Sequence, residues 1–320
     1  MAEYGLALEN FTPEDHDPEL DALVEYAETA ERLGLSSLWA WDHLFLGARR
    51  PFPFYESLTT LSLLVAHTKE MTLGTGVLVL PIREPAVLAK QTATLQLASR
   101  GRLTLGLASG WYEREFDATA VPFAERGRIF ERNLEMLYRM WEEDDLSGEY
   151  DGRVFRHVRM LPRPAPRPRV LIGGYVDRVL KRAATKADGW LTYFYAAESF
   201  AKSWAKIVSF AEQAGKSESD LANVAQVPFC VGSSYEDATS QVFSYLHDYF
   251  DMPEWSDSTP ESSVRGTPEQ CAEQIQAYLD AGVQHLVFCP AGYALEQVHR
   301  LVEDVLPLLG WHGPSAKEQA

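Results

Sequence analysis

Short apolar segments alternate with longer amphipathic segments along nearly the whole chain. Each short segment is rich in β-branched or aromatic residues and has the length of a buried strand. Eight such strands are predicted, at residues 4–8, 37–41, 71–79, 103–108, 170–172, 189–193, 225–231 and 285–288. This alternation is typical of βα units built around a parallel sheet.

The longer segments carry apolar residues three or four positions apart, which is the period of an amphipathic helix. In the first of them, residues 19–33, the pattern ends at Gly34, and glycine suits the left-handed turn after a helix. Further helices are predicted at 55–67, 84–100, 126–142, 178–186, 199–214, 237–250 and 295–309. Thr267-Pro268 begins one more, because threonine can cap a helix and proline suits its first turn.

Eight strands, each followed by a helix, predict an α/β fold of the (β/α)8 TIM-barrel class. An open doubly wound sheet usually stops at about six strands. An insertion is expected after strand 4, where residues 148–162 contain the hairpin dipeptide Asp151-Gly152. The polar stretch 251–264 is expected to form a lid-like loop after strand 7. Residues 1–312 are expected to be one domain and residues 313–320 a flexible tail.

The net negative charge of the chain makes some classes of binding partner unfavourable. The 320 residues include 46 acidic and 29 basic side chains, so no positive field is available to attract nucleic acid or an anionic membrane. The three cysteines follow no disulfide or metal-binding spacing, and no apolar run is long enough to span a membrane. A reducing cytoplasm is therefore the expected location, and neither nucleic acid nor a membrane is an expected partner.

The loops that follow the strands carry the chemistry in a TIM barrel. Trp41-Asp42-His43 ends the second predicted strand, where His43 could exchange a proton with a bound reactant and Asp42 could set its charge. A structural histidine bonded to the backbone is the competing interpretation. Because no His-Glu-x-x-His motif or close carboxylate cluster accompanies His43, no metal site is expected.

Glycines mark two further candidate sites. Thr75-Gly76-Val77 lies inside the third strand, where glycine either relieves barrel packing or lets a flat ligand approach the backbone. Gly173-Gly174 follows the fifth strand and precedes a helix that carries Arg178. This arrangement can hold a phosphate through backbone N–H groups and the helix dipole. A plain turn between strand and helix is the alternative for Gly173-Gly174.

Several longer motifs follow one another along the chain. They are SLWAWDHL at 37–44, LGTGVLVLP at 73–81, RGRLTLGL at 100–107, GW at 110–111 with EF at 115–116, IGG at 172–174 and ADGW at 187–190. In this order they resemble the bacterial luciferase-like superfamily of flavin- and deazaflavin-dependent oxidoreductases. The shared order is more specific than any single motif, and the resemblance extends over nearly the whole chain.

The resemblance implies a barrel whose mouth holds the ring of coenzyme F420 or FMN, with the coenzyme phosphate near Gly173-Gly174. It implies that Gly76-Val77 forms a bulge against the ring, sometimes with a non-proline cis peptide. His43 would then face the reactive part of the ring, with Asp42 beside it. Ser109-Gly110 would lie where similar proteins form hydrogen bonds to the ring edge.

Two reactions follow from this resemblance. With F420, a hydride moves between the coenzyme and a small organic substrate while His43 handles a proton. The Trp-Asp-His-Leu string favours this reaction. With FMN, the reduced ring reacts with dioxygen and oxygenates an aldehyde, ketone or sulfonate. A flavin or F420 reductase partner and a homodimer are further expectations.

Aromatic residues near the strand ends predict a hydrophobic or planar substrate, although packing alone also explains such residues. The expected pocket residues are Trp41, Trp111, Tyr193 and Tyr195. A TIM-barrel glycoside hydrolase is an alternative from another enzyme class, with Glu9, Asp42 and Glu115 as its carboxylates. A non-catalytic cofactor-binding subunit is a second alternative.

Overall fold

The protein folds into a closed barrel of parallel strands. The computed structural model describes residues 2–12, 17–47, 51–250 and 259–313. Its strands are β1 (Glu3–Ala7), β2 (Ser37–Ala40), β3 (Thr72–Val79), β4 (Leu103–Ala108), β5 (Leu146–Tyr150), β6 (Arg153–Val158), β7 (Arg169–Gly173), β8 (Gly189–Tyr193), β9 (Ala222–Val231), β10 (Val264–Gly266) and β11 (His285–Pro290). The barrel consists of β1 to β4, β7 to β9 and β11, and the pairing of β9 with β8 closes it.

Helices surround the barrel. They are α1 (Leu20–Arg32), α2 (Ser57–Leu64), α3 (Pro85–Ala98), α4 (Glu113–Ala118), α5 (Arg126–Glu142), α6 (Asp177–Lys186), α7 (Ala197–Gln213), α8 (Tyr235–Phe250), α9 (Pro268–Asp280) and α10 (Leu295–Arg300). Within the part of the chain that the structure describes, none of the helices has both the length and the hydropathy needed to cross a membrane.

The longest of these helices show how the sequence directs the packing. The buried residues Phe130, Leu134, Leu137 and Trp141 of α5 recur three or four positions apart, so they form one apolar face. The indole Nε1 of Trp141 donates a hydrogen bond to the Ala89 carbonyl of α3 at 3.1 Å. Polar and apolar contacts together therefore hold α5 against its neighbour.

The alternation of strands and helices predicted for the barrel is confirmed, with ends that differ by a few residues. β5 and β6 form an antiparallel hairpin between α5 and β7, with its turn at Asp151-Gly152. The short elements α4 and β10 were not predicted. The helix predicted at 295–309 changes into a π-helix (Leu301–Val305) and a 3-10 turn (Leu306–Leu309), because Pro307 lacks the N–H that would continue the α-helical ladder.

Two sequence predictions fall largely on residues outside the description. Of the lid-like loop expected at 251–264, the structure describes residues 259–264, which include the 3-10 turn Thr259–Ser262 and the start of β10, whereas residues 251–258 lie outside the described residues. Residues 314–320 of the expected tail also lie outside the described residues.

Side chains fill the amino-terminal half of the barrel interior. A Cβ atom on Gly74 would lie 2.3 Å from the ring of Trp39, so glycine leaves the space that this indole occupies. The indole Nε1 of Trp39 donates to Ser37 Oγ at 2.8 Å, and Ser37 Oγ lies 2.7 Å from His285 Nε2. These three side chains therefore fill this part of the barrel interior, and the cavity that contains the predicted site residues lies at the other end.

Candidate active site

A cavity opens where the barrel strands end. The space between its walls, which is partly open to solvent, is about 970 Å³. It is lined by Phe11, Trp41, Asp42, His43, Leu46, Phe54, Gly76, Val77, Val79, Ala108, Ser109, Gly110, Trp111, Gly173, Gly174, Tyr175 and Tyr193. The sequence-predicted site residues are all in this lining except Thr75, Arg178 and Tyr195. Residues far apart in the chain therefore meet at the predicted end of the barrel.

His43 is held by a buried carboxylate. Its Nδ1 lies 3.0 Å from Glu115 Oε2, and the Glu115 side chain is only 1% exposed. The other carboxylate oxygen, Oε1, accepts hydrogen bonds from the backbone N–H groups of Leu44 at 2.5 Å and Phe45 at 3.3 Å. Because Glu115 binds three groups of one short segment, it fixes both the imidazole and the loop that carries it.

The second nitrogen of His43, Nε2, has no hydrogen-bond partner among the described residues. The ring itself is surrounded by aromatic edges, with Phe54 at 5.8 Å, Trp111 at 5.7 Å and Tyr112 at 6.3 Å between ring centroids. These apolar neighbours keep the imidazole in place without occupying Nε2. The arrangement leaves one ring nitrogen available to a molecule in the cavity.

Asp42 has a different set of partners from the one expected. Its carboxylate accepts hydrogen bonds from Ser57 Oγ at 2.9 Å, the Val79 N–H at 2.8 Å and Arg83 Nη2 at 2.5 Å. Burial raises the pKa of Asp42, while the guanidinium of Arg83 and the hydrogen bonds to Val79 and Ser57 act in the opposite direction. Asp42 thus joins the ends of β2 and β3 to the start of α2, and among the described residues its side chain bonds to these groups rather than to His43.

The third strand bends where the sequence places Gly76 and Val77. The register of β3 on β4 passes from Thr75 opposite Leu105 to Leu78 opposite Leu107, and the Gly76-Val77 peptide is cis. A bulge at this position was an expectation from the resemblance, and it is confirmed. Both bulge residues line the cavity, and Gly76 contributes only backbone to this wall.

Two other glycines shape the walls beside the bulge. A Cβ atom on Gly173 would lie 3.0 Å from Val77 Cγ1, and one on Gly110, whose φ is +79°, would lie 2.7 Å from Val79 Cγ1. The absence of side chains at these positions lets Val77 and Val79 pack closely and keeps the cavity wide. Ser109, next to Gly110, also lines the cavity.

Gly173 and Gly174 lead from β7 to α6. The N-cap residue of α6 is Val176, which makes no side-chain cap, so the first N–H groups of this helix lack that kind of partner. Arg178 lies on the outer side of this turn, with a 68% exposed side chain and Glu131 at 3.7 Å. The turn therefore borders the cavity, whereas the guanidinium of Arg178 does not.

Aromatic residues close the remaining sides of the cavity. Trp41 donates from its Nε1 to the Tyr293 hydroxyl at 2.8 Å, and its backbone N–H donates to Asn10 Oδ1 at 3.0 Å. Tyr175 donates its hydroxyl to the Tyr193 carbonyl at 2.5 Å, so these two neighbouring residues are locked together. Such contacts make the aromatic walls rigid.

Two predicted residues lie behind the lining. Thr75 is fully buried and donates its hydroxyl to the Gly106 carbonyl at 2.9 Å, beside the bulge. The ring of Tyr195 packs 4.5 Å from that of Tyr175, and its hydroxyl lies 3.1 Å from Ser203 Oγ of α7. Thr75 and Tyr195 thus contact residues next to the cavity or in its wall without lining the cavity themselves.

Sequence reasoning did not identify Glu115 as the partner of His43, nor Tyr175 as a wall residue. Glu115 was considered only as a glycoside hydrolase carboxylate, and it lies in the short helix α4, which was not predicted. Its place in the motif that begins at Gly110-Trp111 was the signal that could have found it. Within the described residues, no group of three or more His, Cys, Asp or Glu side chains could hold a metal ion.

The chain is similar to known proteins over most of its length. The chain is 28% identical to the F420-dependent glucose-6-phosphate dehydrogenase of Amycolatopsis mediterranei, over 96% of this chain and 97% of that protein. It is 25% identical to the FMNH(2)-dependent dimethylsulfone monooxygenase of Pseudomonas fluorescens, over 80% and 78% of the two chains.

Among solved structures, an F420-dependent secondary alcohol dehydrogenase in complex with an F420-acetone adduct superposes with a TM-score of 0.81. It shares 17% identity with this chain and the match covers 95% of this chain and 98% of that one, so it supports the fold alone. The family model for luciferase-like monooxygenases matches residues 4–285. The chain therefore belongs to the luciferase-like monooxygenase family.

Proposed function

We propose that this protein is an oxidoreductase that uses coenzyme F420 to transfer a hydride to or from a small organic substrate. The observation that carries the proposal is the position of His43 in the cavity wall, with Nδ1 bonded to buried Glu115 and Nε2 bonded to none of the residues that the structure describes. The F420-dependent relative that matches over nearly its full length supports the choice of coenzyme.

The hydrogen bonds around Glu115 determine which nitrogen of His43 carries the proton. Oε1 already accepts from the N–H groups of Leu44 and Phe45, which favours the ionised carboxylate. An ionised carboxylate can only accept, so Nδ1 of His43 must be the donor. Neutral His43 then presents the lone pair of Nε2 to the cavity, as a general base for an alcohol proton.

The cavity fits a flat coenzyme ring. Gly76 contributes only backbone to the wall, and a Cβ on Gly173 would lie 3.0 Å from Val77 Cγ1, so the two glycines leave space beside the Val77 side chain. Ser109 lines the same cavity, and its hydroxyl would bond to a ring edge. The Gly173-Gly174 turn and the first N–H groups of α6 would hold the phosphate.

The bound coenzyme would supply the hydride acceptor or donor. In the oxidising direction, His43 Nε2 takes the hydroxyl proton of an alcohol as the C–H bond gives up its hydride, and the alcohol becomes a carbonyl compound. In the reducing direction, protonated His43 returns that proton to the oxygen. Trp41, Phe54 and Trp111 exclude water from the reacting atoms and favour a substrate with an apolar body.

A second candidate function follows from the FMNH(2)-dependent relative. The same flat wall would accept FMN, and the aromatic lining would keep water away during oxygenation of an aldehyde, ketone or sulfonate. In that case a separate flavin reductase would supply the reduced coenzyme. Dioxygen consumption separates this function from hydride transfer.

The deciding experiment is a paired titration of the purified protein with F420 and with FMN, followed by fluorescence. A dissociation constant for F420 at least tenfold below that for FMN is expected. Anaerobic assays with F420 and a series of small secondary alcohols would then show coenzyme reduction. Tight binding of FMN alone, together with oxygen consumption, would overturn the proposal in favour of the monooxygenase.

We also propose that the protein acts in the cytoplasm as a homodimer. The three cysteines, which follow no disulfide spacing, support the cytoplasmic location. The family resemblance supports the homodimer. The segment 56–69 and the helix α3 are the surfaces on which we expect the partner. Light scattering of the purified protein tests the assembly, and a monomer at micromolar concentration would contradict it.

A further inference from the structure

The barrel interior contains a glutamine, Gln226, whose side-chain amide is buried. Gln226 lies in β9, directly beside Tyr193 of β8 in the register of the sheet. Register neighbours project to the same face of a sheet, and Tyr193 lines the cavity. Gln226 is 1% exposed and does not reach the cavity lining, so its side chain lies in the barrel interior below the cavity.

Neither atom of this amide has a hydrogen-bond partner among the described residues. Both Nε2 and Oε1 of Gln226 are buried and unbonded. The other buried side-chain amides each bond through their oxygen and their nitrogen: Asn10, Gln96, Asn133, Asn223 and Gln297. Buried polar groups are nearly always paired, because an unpaired one destabilises the fold. The unbonded amide of Gln226 therefore does not stabilise the free protein, which indicates that it has a role in binding or catalysis.

The nearest feature to this amide is the bulge of β3. A Cβ atom on Gly76 would lie 2.0 Å from Gln226 Nε2, so the amide touches the backbone of Gly76. Gly76 and Val77 take no part in the register of β3 with β4, which skips them, or in its register with β2, which ends at Thr75. The same two residues line the cavity. Their backbone is thus bordered by the cavity in front and by Gln226 within the barrel.

We propose that Gln226 is a positioning residue that supports the Gly76-Val77 wall against the coenzyme ring. A side-chain amide can both donate to a peptide carbonyl and accept from a peptide N–H. When a ring presses on the wall from the cavity, the amide of Gln226 meets the bulge backbone and holds it in place. The inference rests on the proposed function only in requiring that a coenzyme ring lies on this wall, and it holds for F420 and for FMN.

The test compares two substitutions of buried glutamines by methionine, which has a similar length but no amide. In Gln226→Met, the unbonded amide is removed, so the Tm of the free protein is expected to be equal to or above that of the wild type. Its dissociation constant for the coenzyme is expected to rise about three- to tenfold. Gln297→Met is the matched control, because Gln297 bonds both backbone groups of Val231, the last residue of β9, and does not line the cavity. It should lower the Tm and leave coenzyme affinity unchanged.

Each outcome has a distinct meaning. A fall in Tm for Gln226→Met that matches the fall for Gln297→Met would make Gln226 a structural residue and overturn the proposal. An unchanged dissociation constant would also overturn it. If Gln226→Met does not fold, Gln226→Leu provides the same comparison with a smaller side chain. The wild-type titration separates the two proposals: binding of neither coenzyme defeats the proposed function, whereas equal binding by wild type and variant defeats only the role of Gln226.

Discussion

His43 and Glu115 are bonded side chain to side chain across the mouth of the barrel, with 3.0 Å between Nδ1 and Oε2, although they lie 72 residues apart in the chain. The carboxylate also accepts from two backbone N–H groups beside His43, so one buried charge orients both the ring and its loop. A histidine held in this way has one defined tautomer and one nitrogen directed to chemistry. The first two predictions follow from this pair.

Replacement of His43 by alanine should reduce turnover far more than coenzyme binding. The variant loses the group that exchanges the substrate proton, a contribution of about 10²- to 10⁴-fold in rate. The backbone wall at Gly76-Val77 and the Gly173-Gly174 turn are untouched, so the coenzyme dissociation constant should change less than about threefold. Steady-state kinetics and a fluorescence titration measure the two effects. Unchanged turnover in His43→Ala would show that His43 has no part in the reaction.

Replacement of Glu115 by alanine should destabilise the protein and slow the reaction together. The substitution leaves the N–H groups of Leu44 and Phe45 and the Nδ1 of His43 without their acceptor, at an expected cost of about 2–4 kcal/mol in the free energy of unfolding. Turnover should fall because the tautomer of His43 is no longer fixed. Urea unfolding and steady-state kinetics measure the two losses.

The control for Glu115 lies on the same helix. Glu113 is exposed and belongs to the first turn of α4, so Glu113→Ala changes the charge of the helix without touching His43. Its unfolding free energy should stay within about 0.5 kcal/mol of the wild type. If the two substitutions lowered the unfolding free energy and turnover equally, the charge of the helix, and not the bond to His43, would be the cause.

The sequence predicted the barrel because its signals are local. A strand or a helix is recognised from the order of apolar and polar residues within one short segment. The ends of the predicted strands then identify His43 and Gly76-Val77 as cavity residues. The bonding partner of His43 could not be predicted in the same way. It depends on the orientation of α4, a six-residue helix with too few residues to show a period.

The case of Asp42 shows a second limit of local reasoning. Adjacent residues of an extended segment point in different directions, so neighbours in sequence seldom bond side chain to side chain. Asp42 turns toward Ser57 and Arg83, while His43 turns toward Glu115. The orientation of Arg178 could not be predicted for a related reason. Its side chain points outward from the start of α6, although the backbone of the nearby Gly173-Gly174 turn borders the cavity.

The ion pair of Asp188 and Arg167 makes stability depend on pH. Burial raises the pKa of Asp188, but the hydrogen bonds from Arg167 and from the Val170 N–H outweigh it and hold the pKa below the usual value of 3.8. A lowered pKa in the folded state means that the stabilisation is complete above the unfolded-state pKa and is lost as the pH falls through the folded-state value. Asp188→Asn should therefore lower the unfolding free energy by about 1–2 kcal/mol at pH 7.

This difference between wild type and Asp188→Asn should remain constant from pH 7 to about pH 5 and close below about pH 4. Urea unfolding at a series of pH values measures it. Asp280→Asn is the matched control, because Asp280 is exposed at the end of α9 and, within the described part of the chain, its carboxylate accepts only from Gln276. A difference for Asp188→Asn that stayed the same down to pH 3 would contradict the assignment, since it would not depend on ionisation of the carboxylate.

Either the backbone of the Gly173-Gly174 turn or the side chain of Arg178 could bind the coenzyme phosphate, and two substitutions distinguish between them. Gly174 has a φ of +132°, and a Cβ at this position would lie 3.0 Å from Val179 Cγ1. Gly174→Ala should therefore distort the turn whose N–H groups are proposed to hold the phosphate, and raise the coenzyme dissociation constant at least tenfold. Arg178→Ala removes a guanidinium that is 68% exposed and outside the cavity lining, so the dissociation constant should rise at most about threefold.

Fluorescence titration at low and high salt measures both variants, with Lys181→Ala as the control for loss of an exposed positive charge from the same helix. The small effect of Arg178→Ala should match that of Lys181→Ala and disappear at high salt, because it reflects only the screened charge of α6. The large effect of Gly174→Ala should persist at high salt. If Arg178→Ala weakened binding more than Gly174→Ala did, the phosphate would be held by the arginine side chain, and the backbone turn would not be its binding site.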